Sequence, residues 1–147
     1  MAKVEQRVIT VSTSTTARRG PTLARMLGRK NYPREYIERC QRDIEAQIAE
    51  FNELPPVPAT FATRLAGHLV IVMDACFMHR VRALEGKDGN ALNEVRVLSQ
   101  SLMYGDTVVE DSTVTWDKDR MVLGLMKGDD LALSISDVDK LQQAFFK

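Results

Sequence analysis

The sequence predicts a mainly α protein, a helical bundle with a small antiparallel β element before its C-terminal helix. The chain has 147 residues, the usual length of a single domain. Over two long segments, apolar residues recur at steps of three and four, as they do on one face of a helix. Between residues 107 and 135 the pattern changes to short β-favouring runs.

The N-terminal part of the chain is predicted to be separate from the core. Residues 1–20 combine a β-favouring run with a row of hydroxyl residues, so we expect an arm. Residues 21–147 are expected to form one helical domain. Pro21 can occupy the first turn of a short helix through Lys30, where the missing N–H of proline costs nothing.

The next two helices carry most of the predicted core. In residues 33–54 one stripe is apolar, formed by Ile37, Cys40, Ile44, Ile48 and Phe51, and the prolines from Pro55 stop the helix. Residues 59–85 are expected to form one longer helix that is apolar nearly all round its middle. Because 147 residues offer few elements to cover such a helix, we expect a second subunit to cover it and the protein to be a homo-oligomer.

Glycine and asparagine then separate the long helix from the next one. Gly86 suits a left-handed helix end and Asn90 suits an N-cap, so a third helix is expected to about Tyr104. The predicted β segments follow at residues 107–109, 113–116, 121–126 and 131–135, with a hairpin turn at 127–130. Ser136 is expected to cap the last helix.

Two stretches of the second half resemble an uncharacterised bacterial protein family. They read ALEGKDGNALNEVR, at residues 83–96, and GDDLALS, at residues 128–134, which runs into AFF at 144–146. No activity is attached to that family, so the resemblance implies no catalytic or binding residue.

The charges are unevenly distributed although the net charge is zero. Residues 1–34 hold eight basic residues and one acidic residue, a net charge of +7, whereas residues 35–54 and 105–147 each carry −4. Nucleic-acid binding through this basic segment is therefore one alternative function. The residues concerned are Arg18, Arg19, Arg25, Arg29, Lys30 and Arg34. Docking of the basic segment on an acidic surface of the same chain or of a second copy is the favoured interpretation, because Asp129 and Asp130 in the predicted hairpin repel phosphate.

Asp74 is the most informative polar residue, since it interrupts an apolar helical segment. A buried carboxylate needs a cation, and Arg96, Arg25 and Arg29 are the candidates for an ion pair between elements. Asp74, His79 and Arg80 would also be the site of a small-molecule-binding enzyme, which is a second alternative. A recognition loop is possible around residues 85–96. The binding candidates are thus Asp74, His79, Arg80, Glu85, Asn90, Asn93 and Arg96.

The sequence contains no motif that predicts catalysis. His68 and His79 are the only histidines and would lie ~16 Å apart along one helix, so we expect no metal and no cofactor. Cys40 and Cys76 have no CxxC spacing and are predicted to be buried thiols of a cytoplasmic protein. The function is not identified by the sequence. We expect a non-enzymatic binding or assembly module that self-associates, with a further protein partner possible and no membrane partner.

Overall fold

The computed structural model of the protein describes residues 28–147. Of these residues 56% are helical, which confirms the mainly α prediction. The five helices are α1 (Arg34–Glu53), α2 (Ala59–Cys76), the single turn α3 (Arg82–Glu85), α4 (Ala91–Tyr104) and α5 (Ile135–Phe145). The predicted arm at residues 1–20, and the predicted helix as far as residue 27, lie outside the described residues, and Gly28–Lys30 are not helical.

Helix α1 follows the sequence pattern closely. Its buried residues are Cys40, Ile44 and Ile48, all on the predicted stripe. Leu54 leaves the helix in an extended conformation (φ −68°, ψ 147°), as expected for a residue that precedes a proline. The charged side chains of the opposite face point to solvent.

Helix α2 ends at Cys76, so the prediction of one helix through residue 85 is wrong. Phe77 leaves the helical conformation (φ −126°, ψ 30°). The backbone of the following residues binds another segment: the Arg29 N–H donates to the His79 carbonyl over 2.6 Å, and the Val81 N–H donates to the Arg29 carbonyl over 3.1 Å. This pairing between distant segments replaces the hydrogen bonds that a continuous helix would make.

The core is built around α2, which packs on α4, α5 and α1. Leu69, Val70 and Met73 of α2 are fully buried and meet Val95 and Leu98 of α4 in one cluster. A methyl group on Gly67 would come within 3.3 Å of a Leu102 methyl carbon, so this glycine allows α2 and α4 to approach closely. Val138 and Leu141 of α5 complete the cluster.

Residues 105–134 form an ordered loop in which the predicted β element is not found. Residues 28–147 contain no sheet, and within this loop only Thr107 and Asp130 make an isolated bridge. Many polar groups of the loop bond to side chains instead. The Glu94 carboxylate accepts from the N–H groups of Val122 (2.6 Å) and Leu123 (2.9 Å), and the Trp116 indole donates to the Leu125 carbonyl (2.8 Å).

The turn at residues 127–130 is present although the strands are not. Gly128 has a φ of +86°, and its N–H donates to the Val108 carbonyl over 2.9 Å. Helix α5 then begins two residues earlier than the predicted cap would place it. Ser134, not Ser136, is the N-cap, and it forms a capping box with Asp137.

Candidate functional site

The segment from residue 85 to 96 is held by internal hydrogen bonds. Asn90 caps α4 as predicted, since its side-chain oxygen accepts from the N–H groups of Leu92 (3.0 Å) and Asn93 (3.1 Å). The Asn93 side chain is fully buried, accepts from the Gly89 N–H and donates to the Gly86 carbonyl. The geometry thus gives Asn90 and Asn93 structural partners within the turn itself.

Five charged side chains form a chain of ion pairs beside this turn. Arg80 pairs with Asp74 (3.0 Å) and with Glu85 (3.1 Å) through the same nitrogen, Nη2. The second carboxylate oxygen of Glu85 faces Arg96 Nε at 3.5 Å, and Arg96 also binds Asp111. Asp74 is therefore partly buried and paired, and its partner is Arg80 instead of Arg96 or Arg29, whereas Arg25 lies outside the described residues.

The centre of this ion chain is largely buried. The Glu85 side chain is 1% exposed, the Arg96 side chain 6% and the Arg80 side chain 11%. Arg80 also donates to the carbonyls of Phe77 and Leu92. Charges buried to this degree are tolerated only when they are paired. The ion pairs therefore link the segment after α2 to α3, to α4 and to the loop at residues 105–134.

Two acidic side chains in this region, Asp111 of the ion chain and the nearby Glu94, have pKa values that are shifted in opposite directions. The hydroxyl of Thr113 and the guanidinium of Arg96 lower the pKa of Asp111 to about 2, against the opposing effect of burial. Burial raises the pKa of Glu94 above its ordinary value, although the N–H groups of Leu123 and Val122 favour its ionised form. Asp111 is thus strongly stabilised as an anion, whereas Glu94 is not.

A pocket of about 310 Å³ opens beside Arg80 and Glu85, and we call it the aromatic pocket. Its wall contains a cluster of rings centred on Phe77, whose centroid lies 4.9 Å from that of Tyr32 and 5.7 Å from that of Phe145. Further apolar lining comes from Ile37, Val81, Leu84, Leu92 and Phe146. This volume is at the lower end of the ~300–1,000 Å³ found for ligand pockets.

Basic side chains also line the aromatic pocket. Arg29, Lys30 and Lys147 are exposed there and form no salt bridge with any residue in 28–147. The Arg29 guanidinium lies 5.9 Å from the centroid of the Tyr32 ring. The buried Tyr32 hydroxyl and the Arg80 Nε atom have no hydrogen-bond partner among residues 28–147. The pocket therefore combines an apolar wall with cations and unused donors.

The structure brings some sequence-predicted site residues together and separates others. Arg80 and Glu85 line the aromatic pocket, whereas Asp74 does not, and His79 is exposed outside it. Sequence reasoning missed Tyr32 and the ring cluster of Phe77, Phe145 and Phe146. The Phe145-Phe146 pair near the C-terminus was the one available signal, but nothing in the sequence places it beside Phe77.

The two cysteines prove to be neighbours across α1 and α2. Cys40 is buried, Cys76 is partly buried, and both are free thiols. Burial, together with the adjacent Cys40 thiol, raises the pKa of Cys76 to about 12. The Tyr36 hydroxyl donates to the Cys76 carbonyl over 2.7 Å. Thiols in such surroundings are unreactive, so this pair has the character of packing residues.

The basic segment of the nucleic-acid alternative is described only in part. Arg18, Arg19 and Arg25 lie outside residues 28–147. Arg29 and Lys30 are at the aromatic pocket, and Arg34 pairs with Glu38 along α1 at 3.0 Å. Within the described part of the chain, no group of three or more His, Cys, Asp or Glu side chains is placed to hold a metal ion.

Helix α2 is long and apolar enough to cross a membrane by length and composition, with a mean hydropathy of 1.2 over 18 residues. It also carries Arg64 and Asp74 and buries five residues in the core, including Leu69 and Met73. Core helices of soluble proteins satisfy the same criterion, so the criterion alone is weak evidence for a membrane span.

Comparisons with known proteins identify no relative: no protein family matches the chain, nor does any curated protein or solved structure. Residue roles in this protein therefore have to be argued from its own geometry.

Proposed function

We propose that this protein is a non-enzymatic binding module whose aromatic pocket takes a small apolar ligand with an anionic head. The observation that carries the proposal is the combination of an apolar, ring-lined pocket with three cations, Arg29, Lys30 and Lys147, that lack salt-bridge partners in residues 28–147. Pockets that bind small molecules have this general make-up, with an apolar lining and a few polar groups that orient the ligand.

The charges favour an anion over a cation or a neutral head group. Glu85 is the one acidic side chain among the lining residues, and Arg80 and Arg96 already neutralise it. The exposed cations therefore leave an excess of positive charge around the opening. An apolar tail against Phe77 and Phe145, with its carboxylate near Lys30, would satisfy both surfaces.

The same geometry supports binding over the enzyme alternative at Asp74, His79 and Arg80. An enzyme site would need these groups free in one polar cavity, where they could exchange protons with a substrate. Asp74 and Arg80 are instead committed to each other in the ion chain, and the His79 side chain lies outside the pocket.

The proposal is tested with octanoate as the probe and the full chain as the protein. Because a ligand that binds only the folded state raises the apparent stability, octanoate should raise the melting temperature progressively with its concentration. Octanol has the same tail without the charge, and octylamine reverses the charge. Both should give a smaller rise than octanoate.

Variants distinguish binding of octanoate in the aromatic pocket from nonspecific, detergent-like binding elsewhere on the protein. The double variant Arg29→Gln, Lys30→Gln should reduce the affinity for octanoate by about tenfold or more, through loss of charge-assisted contacts. Lys127→Gln, at the distant turn, is the matched control and should change nothing. Equal binding of octanol and octanoate, or no binding of either, would refute the proposed ligand class.

We further propose that the protein is cytoplasmic, self-associates and needs no cofactor. The neighbouring free thiols of Cys40 and Cys76 support the first point, since such pairs persist in reducing compartments. Exposed apolar residues on α2, among them Phe61 and Val72, support the second. Cell fractionation tests the location, and sedimentation tests the assembly.

A further inference from the structure

A second, larger concavity lies between α2 and the C-terminal end of α4, and we call it the α2–α4 groove. Its volume is about 610 Å³. Thr60, Thr63 and Arg64 line it from α2, and Met103 and Asp106 line it from the end of α4 and the residues that follow. This site is distinct from the aromatic pocket and shares no lining residue with it.

The polar side chains of the groove are unused within the described part of the chain. Neither Arg64 nor Asp106 forms a salt bridge there, and the hydroxyls of Thr60 and Thr63 make no side-chain hydrogen bond. The Asp106 carbonyl accepts from the Leu131 N–H over 2.8 Å, which fixes the backbone at this position. The groove thus offers one free cation and one free anion.

Two helix ends at the groove add one partial positive charge and one partial negative charge. Helix α2 begins without a side-chain cap and without an acidic residue in its first turn, so its positive end is uncompensated. Helix α4 has no basic residue in its last turn, so its negative end is equally uncompensated. Ala59 and Thr60 of the first end and Gly105 of the second all line the groove.

Apart from the exposed imidazole of His68, the remaining side chains that line the groove are apolar. Ile71, Leu102, Met103 and Leu131 line the groove, and Met103 is 69% exposed. A ligand that matches all of these surfaces carries an anionic group, a cationic group and an apolar side chain.

We propose that the α2–α4 groove binds a zwitterion with an apolar side chain, either a free amino acid or a dipeptide. Its carboxylate would meet Arg64, Thr60 and the N-terminal end of α2. Its ammonium group would meet Asp106 and the last carbonyls of α4, and its side chain would lie on Met103 and Leu131. The volume is ample for either source.

Calorimetric titration of the full chain with four probes tests this proposal. L-leucine and L-leucyl-L-leucine are the zwitterions, whereas isocaproate lacks the ammonium group and isoamylamine lacks the carboxylate. At least one zwitterion should bind, and each single-headed analogue should bind at least about tenfold more weakly than L-leucine. The tighter of the two zwitterions identifies the source.

Two variants assign the two ends of the ligand. Arg64→Gln should remove the preference for L-leucine over isoamylamine, and Asp106→Asn should remove the preference over isocaproate. Arg42→Gln, on the exposed face of α1, is the control and should bind as the natural chain does. Absence of heat with both zwitterions, or unchanged preferences in both variants, would overturn the proposal. Neither result would affect octanoate binding at the aromatic pocket.

Discussion

At the scale of single residues, Glu85 is a buried carboxylate held between two cations. Its carboxylate faces Arg80 with one oxygen and Arg96 with the other, and only 1% of the side chain is exposed. Removing it leaves two buried cations that each keep a single carboxylate partner. An unpaired or under-paired buried charge is among the few causes of large destabilisation.

We therefore predict that Glu85→Ala lowers the free energy of unfolding by about 3–5 kcal/mol, measured by urea denaturation. Asp74→Ala should cost less, since Arg80 keeps Glu85. Glu38→Ala breaks the exposed pair with Arg34 and is the control, with an expected change below about 0.5 kcal/mol. If Glu85→Ala and Glu38→Ala had equal effects, the buried ion chain would be of no consequence for stability.

Asp111 gives the protein a predictable sensitivity to acid. Its pKa is about 2 in the folded protein and ~3.9 in an unfolded chain. An acid whose pKa is lowered by folding stabilises the fold at pH values above its pKa in the unfolded chain. This stabilisation is lost as the pH falls through its pKa in the folded protein. The ionised Asp111 therefore stabilises the fold at pH 5 and above and adds no stability below about pH 2.

The variant Asp111→Asn should consequently be less stable than the natural chain near neutral pH, and the difference should shrink between about pH 4 and pH 2. Urea denaturation at a series of pH values measures it. Asp119→Asn removes an exposed carboxylate without an ion pair in residues 28–147 and serves as the control. A difference for Asp111→Asn that stays constant down to pH 2 would contradict the assignment.

At the scale of elements, the N-cap of α5 is not the residue that the local sequence predicts. The sequence predicts Ser136 as the N-cap, with Asp137 and Asp139 at the positive end of the helix. In the structure Ser134 accepts from the Asp137 N–H (3.2 Å), while Asp137 accepts from the Ser134 N–H (2.9 Å). Ile135 is then the first helical residue, and it is buried.

Ser134→Ala should therefore destabilise the protein by about 0.5–2 kcal/mol, the usual effect of losing a cap. Ser136→Ala is the matched control, because Ser136 is exposed and its side chain makes no hydrogen bond in the described residues. Its effect should stay within about 0.5 kcal/mol. Thermal or urea unfolding distinguishes them, and a larger effect at Ser136 would place the cap where the sequence suggested.

Elements with local signals were predictable, and those fixed by distant contacts were not. Helix α1 has a clear stripe and a proline stop, and α4 has Asn90 as its cap, so both agree with the sequence. The end of α2 at Cys76 has no local signal. It depends on Arg29, some 50 residues earlier in the chain, whose backbone takes the hydrogen bonds of His79 and Val81. The β-favouring run at residues 121–126 likewise bonds to Glu94, through the N–H groups of Val122 and Leu123.

At the scale of the whole molecule, the same distinction applies to the candidate sites. The sequence singled out Asp74 and Arg80 as polar residues in apolar surroundings, and these residues do form an ion pair. It could not place Tyr32, Phe77 and Phe145 around one pocket, because they come from three separate segments. Nor could it show that Arg64 and Asp106 line one groove.

The basic segment allows a test of the nucleic-acid alternative on the full chain. Arg29 and Lys30 lie at the aromatic pocket and Arg34 is paired, so we expect no specific binding to duplex or single-stranded nucleic acid. A gel-shift titration at two salt concentrations measures it. Binding that weakens steeply with salt, and disappears on neutralising Arg18, Arg19, Arg25 and Arg29, would show that phosphate is the partner of this segment.

The outer face of α2 leads to the prediction on assembly. At 100° per residue, Phe61, Leu65, His68, Val72 and Ala75 fall within one sector of ~80°. Phe61 is 45% exposed and Val72 is 43% exposed. The stripe is nearly symmetric about His68, a residue that also lines the α2–α4 groove. In an antiparallel pair of α2 helices related by a two-fold axis there, Phe61 would meet the partner's Ala75, and Leu65 would meet the partner's Val72.

Phe61 would thus face a small residue across that axis and Leu65 another aliphatic one, an arrangement that allows close packing of two identical helices. We predict that sedimentation at micromolar concentration finds a particle of twice the 16.5 kDa of one chain. Val72→Glu places a charge in the contact and should give the single-chain mass with an unchanged helix content, because Val72 lies outside the core. Asn52→Glu adds the same charge at an exposed position of α1 and should leave the particle dimeric. A natural chain that sediments at 16.5 kDa would remove the dimer, and a dimer that survives Val72→Glu would place its interface on another face.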